Sequence, residues 1–150
     1  MPEFNDLIPE LSEWNDGKGI DVHAWLAGVG SYEHAIAYGA LFWPEFVEHS
    51  GCVFLARGFS RSSYRSWMST TSRDKTATEK VMNHVHVCDL FVNSERTSAQ
   101  SKHIAGLLKE CWECKLRRDF PNRTFIVDVY DCESVDPDWS DCQVTFYQPR

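Results

Sequence analysis

The spacing of the apolar residues changes near residue 125, and this change constrains the fold more than any other feature. Before it, apolar residues recur at three- and four-residue steps, which is typical of amphipathic helices. After it, Phe125, Val127 and Val129 alternate with other residues, and Val144 and Phe146 do the same. Alternation predicts two strands, and an antiparallel hairpin across residues 132 to 142 is their natural connection. Helices followed by such a hairpin predict an α+β fold.

Polar residues mark where several helices should begin. Asp21, Ser31 and Ser60 each precede a stretch with helical spacing, and their side chains can cap a helix. The sequences Thr76-Ala77-Thr78-Glu79 and Thr97-Ser98-Ala99-Gln100 both fit the capping box. They predict one helix from residue 76 to about residue 92 and a second from residue 97 to about residue 118.

A short apolar stretch at residues 52–55 is bounded by Gly51 and Gly58 and predicts a third strand, preceded by a turn at residues 45–49. No internal repeat or linker-like change of composition divides the chain, so residues 1–150 are expected to form a single globular domain. Hydrophobic residues make up 43% of the 150 residues, which is enough for one core. The predicted architecture is a layer of five to six helices packed on a small antiparallel sheet with a C-terminal β-hairpin.

The sequence also indicates a compartment. Residues 1–6 lack the basic and apolar regions of a secretory signal, and no apolar run approaches the roughly 20 residues that cross a bilayer. These features predict a cytoplasmic protein without a membrane partner, in which the six cysteines stay reduced.

Four residues suggest a metal centre as an alternative to a simple core. If residues 76–92 are helical, Cys88 lies on an apolar stripe with His84 at its edge, and Cys111 and Cys114 share the apolar stripe of the next helix. Packing of the two stripes would bring His84, Cys88, Cys111 and Cys114 together as a zinc ligand set. The competing interpretation is that they are buried core residues, because the H-x-E and P-C-x-x-C signature of zinc deaminases is missing. We therefore expect no cofactor and no catalytic residue, with zinc at these four residues as the alternative.

The distribution of charge favours a protein partner. A net charge of −7 argues against general nucleic-acid binding, which needs a surplus of Lys and Arg. Between Thr124 and Pro149 there is no Lys or Arg, and the predicted hairpin loop is acidic and carries a Trp. A Trp surrounded by carboxylates can anchor a basic partner. The predicted partner-binding residues are Asp131, Glu133, Asp136, Asp138, Trp139 and Asp141.

These observations predict a non-enzymatic cytoplasmic protein-binding module that occludes a basic partner with an acidic, aromatic-bearing surface. Bacterial immunity proteins and other small inhibitors of toxins share this size and charge, although no motif connects them to this chain. An alternative interpretation of the loop is that Trp139 folds back on the sheet while the carboxylates only maintain solubility. The alternative function is a zinc-binding or enzymatic domain organised around His84, Cys88, Cys111 and Cys114.

Overall fold

The computed structural model describes residues 3–95, 97–130 and 142–150, and its architecture is α+β as predicted. The described helices are α1 (Phe4–Leu7), α2 (Glu10–Gly17), α3 (Val22–Val29), α4 (Tyr32–Phe42), α5 (Arg61–Thr70), α6 (Lys75–Met82) and α7 (Ser98–Asp119). The described strands are β1 (Phe46–His49), β2 (Cys52–Leu55), β3 (Val85–His86), β4 (Ile126–Tyr130) and β5 (Gln143–Tyr147). Short 3₁₀ turns at Ala56–Gly58 and Cys88–Leu90 connect some of these elements.

The chain divides into two compact units, Met1–Gly39 and Ala40–Arg150. In the first unit, Leu7 and Leu11 are buried. The predicted cap of α3 is confirmed, because Asp21 Oδ1 accepts hydrogen bonds from the backbone N–H groups of His23 and Ala24. Both hydrogen bonds lower the pKa of the Asp21 carboxyl group, and the bond from Ala24 has the larger effect. The single domain expected over residues 1–150 stays a prediction.

The described residues of the second unit form two antiparallel sheets, where the sequence predicted one. Strands β1 and β2 form a hairpin, and β3, β5 and β4 form a separate sheet in that order. The turn predicted at residues 45–49 is wrong, because this segment is the strand that pairs with β2. The chain reverses at Ser50 and Gly51, which both have positive φ angles of 54° and 79°. Two consecutive positive φ values give the tight turn whose twist matches an antiparallel hairpin.

The main core of the second unit lies between the sheets and α7. Trp112 of α7 has no exposed surface, and its ring centre lies 6.0 Å from that of Phe146 in an edge-on arrangement. Its indole N–H donates to the backbone oxygen of Leu41 over 3.2 Å, so the one polar atom of the buried ring is satisfied. The buried members of this cluster are Val53, Leu55, Val85, Val87, Ala105, Leu108, Trp112, Leu116, Val127, Cys142, Val144 and Phe146.

Helix α6 differs from the prediction at both ends. Its cap is Asp74, whose Oδ1 accepts from the backbone N–H of Ala77 over 3.0 Å, so the capping box predicted at residues 76–79 is wrong. Glu79 does not close such a box, because its carboxylate oxygens accept from the backbone N–H groups of Val53 and Gln148. The helix ends at Met82 and not near residue 92, and the chain continues into β3.

Two buried side chains, Glu79 of α6 and Asn83 directly after it, attach the helix to the edge of β2. Glu79 Oε1 accepts from the backbone N–H of Val53 over 2.8 Å, and Asn83 Oδ1 accepts from that of Leu55 over 3.0 Å. Asn83 Nδ2 donates to the backbone oxygens of Val53 and Phe146 over 2.9 and 3.1 Å. We call Glu79 and Asn83 the α6 clamp. Because Phe146 belongs to β5, the clamp also connects the two sheets.

The capping box predicted at residues 97–100 is confirmed. The Thr97 hydroxyl accepts from the backbone N–H of Gln100, and the Gln100 side chain accepts from the backbone N–H of Thr97.

We expect Thr97→Ala to lower the free energy of unfolding by about 1 kcal/mol, because one N–H group at the start of α7 loses its partner. Urea denaturation measures the change. Ser66→Ala, which removes an exposed hydroxyl within α5, should change stability by less than about 0.5 kcal/mol. A loss no greater in Thr97→Ala than in Ser66→Ala would contradict the prediction.

Candidate functional site

The segment after α6 places two histidines on one face of the three-stranded sheet. Burial alternates along it: Asn83, Val85 and Val87 are buried, whereas His84 and His86 are half-buried. Val85 pairs with Val144 and belongs to the core cluster that contains α7. Since successive side chains of an extended segment point to opposite faces, the histidines lie on the face away from this core.

This geometry explains why the four predicted zinc ligands do not meet. Cys111 lies on α7 and packs against the core cluster, and Cys114 of the same helix is exposed, whereas His84 is on the other side of the sheet. Within residues 3–95, 97–130 and 142–150, no group of three or more His, Cys, Asp or Glu side chains could hold a metal ion. Burial also raises the pKa of the Cys111 thiol, which opposes the thiolate form that a metal or a nucleophilic mechanism needs.

The side chains on this face form a connected polar surface. We define the polar sheet face by residues on β3, β4 and β5 and just before β3: His84, His86, Asp128, Tyr130, Gln143 and Tyr147. Gln143 is the Cα partner of both His86 and Tyr130, so these three residues lie side by side across the sheet. His84 Nε2 is 2.8 Å from Gln143 Oε1, and the ring centres of His84 and His86 are 4.5 Å apart. The two imidazoles are therefore in mutual contact and partly accessible to solvent.

A second set of contacts lies at the other end of the polar sheet face. The Tyr147 hydroxyl donates to Asp128 Oδ2 over 2.8 Å, and Lys80 Nζ lies 4.1 Å from the centre of the Tyr147 ring. The hydrogen bond to the Asp128 carboxylate raises the pKa of Tyr147. Tyr147 thus remains a neutral hydrogen-bond donor at physiological pH.

A family model described as Uncharacterized protein PM0498 family matches residues 37–150. The chain belongs to the PM0498 family. No curated protein and no solved structure matches the chain. The PM0498 match begins close to the boundary between the two units and includes every described strand, so the polar sheet face lies entirely within the matched residues.

In this PM0498 family chain, the strand β4 carries large exposed side chains next to the acidic segment. Ile126, Val129 and Tyr130 are 37%, 37% and 45% exposed, and β4 is at the edge of its sheet. The predicted partner-binding residues lie outside the described residues: Asp131, Glu133, Asp136, Asp138, Trp139 and Asp141. The strand β4, which directly precedes them in the sequence, therefore presents exposed apolar side chains.

Sequence reasoning missed most of the polar sheet face in this PM0498 family member. The signal was present, because the residues from His84 to Val87 alternate polar and apolar side chains, which is the pattern of a strand. Without the strand register, the sequence could not assign Gln143, Asp128 and Tyr147 to the same surface.

Among the described residues, no helix is both long enough and apolar enough to cross a membrane.

Proposed function

We propose that the chain is a non-enzymatic protein-binding module that recognises a basic partner through its β4–β5 hairpin. The observation that carries the proposal is the exposure of Ile126, Val129 and Tyr130 on an edge strand that enters an acidic segment. Large exposed apolar side chains beside charged residues are typical of interaction surfaces, and Tyr is enriched among the residues that dominate binding energy.

The charge of the surrounding sequence supports a basic partner. Between Thr124 and Pro149 the chain has six carboxylates and no Lys or Arg. A surface of one sign accelerates encounter with a surface of the opposite sign and disfavours partners of like charge. In the finer form of the proposal, the chain acts in the cytoplasm and occludes its partner as an inhibitor of the immunity or antitoxin type does.

We expect substitutions in the hairpin to weaken partner binding strongly. The partner would be isolated on immobilised wild-type chain from cells that encode it, and dissociation constants would then be measured by calorimetry. Tyr130→Ala should weaken binding about 30-fold, because an anchoring aromatic contributes about 2 kcal/mol or more. Trp139→Ala combined with Asp138→Lys should weaken it further.

A matched control separates the hairpin from general surface effects. Val92 is 72% exposed and lies outside β4 and β5, so Val92→Ala should bind the partner as the wild type does. Binding to the wild type should also weaken as salt concentration rises, because salt screens the attraction between exposed charges. Undiminished binding by both hairpin variants, or isolation of acidic partners alone, would refute the proposal.

A further inference from the structure

We infer that His84 and His86 form a two-imidazole binding site for a late first-row transition-metal ion on the polar sheet face. Water would occupy the remaining coordination positions. The site goes beyond the proposed function, because it uses neither the acidic segment nor the exposed side chains of β4. It also differs from the predicted zinc set, since it contains no cysteine and takes both ligands from one extended segment.

The spacing of the two histidines suits a shared ion. They are two residues apart in an extended segment, so both side chains leave the same face of the sheet. Their ring centres are 4.5 Å apart. An imidazole nitrogen binds zinc at about 2.0–2.1 Å, so two rings that share one ion have centres about 5 Å apart.

Gln143 prepares one of the imidazoles for this role. Gln143 Oε1 can only accept a hydrogen bond, so His84 Nε2, which lies 2.8 Å away, carries the proton. The lone pair of the neutral ring is then on Nδ1, the nitrogen left for an ion. Metal-binding histidines are usually oriented in this way by an acceptor on the other ring nitrogen. The position of Gln143 is itself fixed, because the neighbouring pair Val85 and Val144 is buried in the core.

The chemistry of the ligands selects the ion. Imidazole nitrogen suits Zn²⁺, Ni²⁺ and Cu²⁺, with Cu²⁺ bound most tightly, whereas Mg²⁺ requires oxygen ligands. Within the described parts of the chain, no third His, Cys, Asp or Glu completes the set. With two imidazole ligands, the proposed site leaves coordination positions for water or for an additional ligand.

Calorimetric titration of the full chain, stripped of metal with a chelator, tests the inference. We expect one Zn²⁺, Ni²⁺ or Cu²⁺ per chain, with Cu²⁺ the tightest, and no binding of Mg²⁺. His84→Gln and His86→Gln should each weaken binding at least about tenfold. Even the loss of a residue that only orients a metal ligand lowers metal affinity about 10–100-fold. The control is His34→Gln on α4, which removes an exposed imidazole that stacks on Tyr38 and should leave binding unchanged.

A second pair of variants tests the part assigned to Gln143. Gln143→Leu removes the acceptor and should weaken Zn²⁺ binding about tenfold, whereas Gln143→Glu keeps an acceptor and should restore it. In nitrogen-15 NMR spectra of the wild type, Zn²⁺ should shift the Nδ1 resonance of His84 while the Nε2 proton is retained. Urea denaturation of each variant would establish that the fold persists.

Two outcomes would overturn the inference: no stoichiometric binding to the wild type, or undiminished binding by both histidine variants. The test is independent of the proposed function. The double variant His84→Gln and His86→Gln should lose the metal and keep the basic partner, whereas Trp139→Ala combined with Asp138→Lys should lose the partner and keep the metal.

Discussion

Replacing Glu79 with alanine should lower the free energy of unfolding by about 3–5 kcal/mol, because several N–H donors, among them the buried amide of Val53, would lose their acceptor at a cost of about 1–3 kcal/mol each. The Glu79 carboxylate is completely buried. Besides the Val53 amide, it accepts from the backbone N–H of Gln148 over 2.9 Å and from Gln148 Nε2 over 2.6 Å. It also forms an ion pair with Arg150 at 3.2 Å. Alanine would leave these donors without their acceptor.

Urea denaturation would measure this loss, and two further variants divide it into its causes. Glu79→Gln keeps the volume and one acceptor oxygen but points an N–H group toward other donors, so we expect an intermediate loss of about 1–3 kcal/mol. Arg150→Ala removes the ion pair and the hydrogen bond that Arg150 Nη2 donates to the backbone oxygen of Gly51 over 3.0 Å. Since the Arg150 side chain is 33% exposed and the Glu79 carboxylate keeps its N–H donors from Val53 and Gln148, this loss should cost only about 1 kcal/mol. A cost of Glu79→Ala no larger than that of Arg150→Ala would contradict the role of the clamp.

Replacing Asn83 with alanine should lower the free energy of unfolding by about 3 kcal/mol or more. The Asn83 side chain satisfies three buried backbone groups: the amide of Leu55 and the carbonyl oxygens of Val53 and Phe146. Each buried group left without a partner costs about 1–3 kcal/mol. Asn83→Asp should be at least as harmful, because a second oxygen would replace the donor that faces the two carbonyl groups.

Native-state hydrogen exchange separates the two clamp residues. In Asn83→Ala, the amide of Leu55 should lose more protection than that of Val53, because only the former is bonded to Asn83. In Glu79→Ala, the order should reverse. Equal loss of protection at both amides in both variants would show that the residues act only through global stability.

Local signals account for what could be predicted from the sequence. The cap at Thr97 depends on residues within one turn of each other, and the strands at residues 52–55 and 143–147 follow from alternation or from flanking glycines. The predicted helix over residues 76–92 is wrong beyond Met82 for a nonlocal reason. Asn83 bonds to Val53 and Phe146, which are 30 and 63 residues away in the sequence, and these bonds hold the following residues in an extended form beside β5.

The candidate site was harder to predict from the sequence than the helix cap and the strands, because it depends on which face of the sheet each side chain occupies. Val81, Val85, Cys88 and Val92 also fit a helical stripe, and that period placed His84 beside the cysteines. In the extended segment that includes β3, the two-residue period directs His84 toward Gln143 and away from α7. A choice between two periods over five residues thus determines whether the imidazole faces sulfur or amide groups.

The α6 clamp has a further consequence for the behaviour of the folded chain in concentrated solution. The edge of β2 that faces away from β1 would ordinarily present unpaired amide and carbonyl groups, which can recruit a strand from another molecule. Glu79 and Asn83 occupy these groups with side chains where a further strand would pair. The same two side chains that hold the sheets together thereby protect the protein from polymerising through this edge.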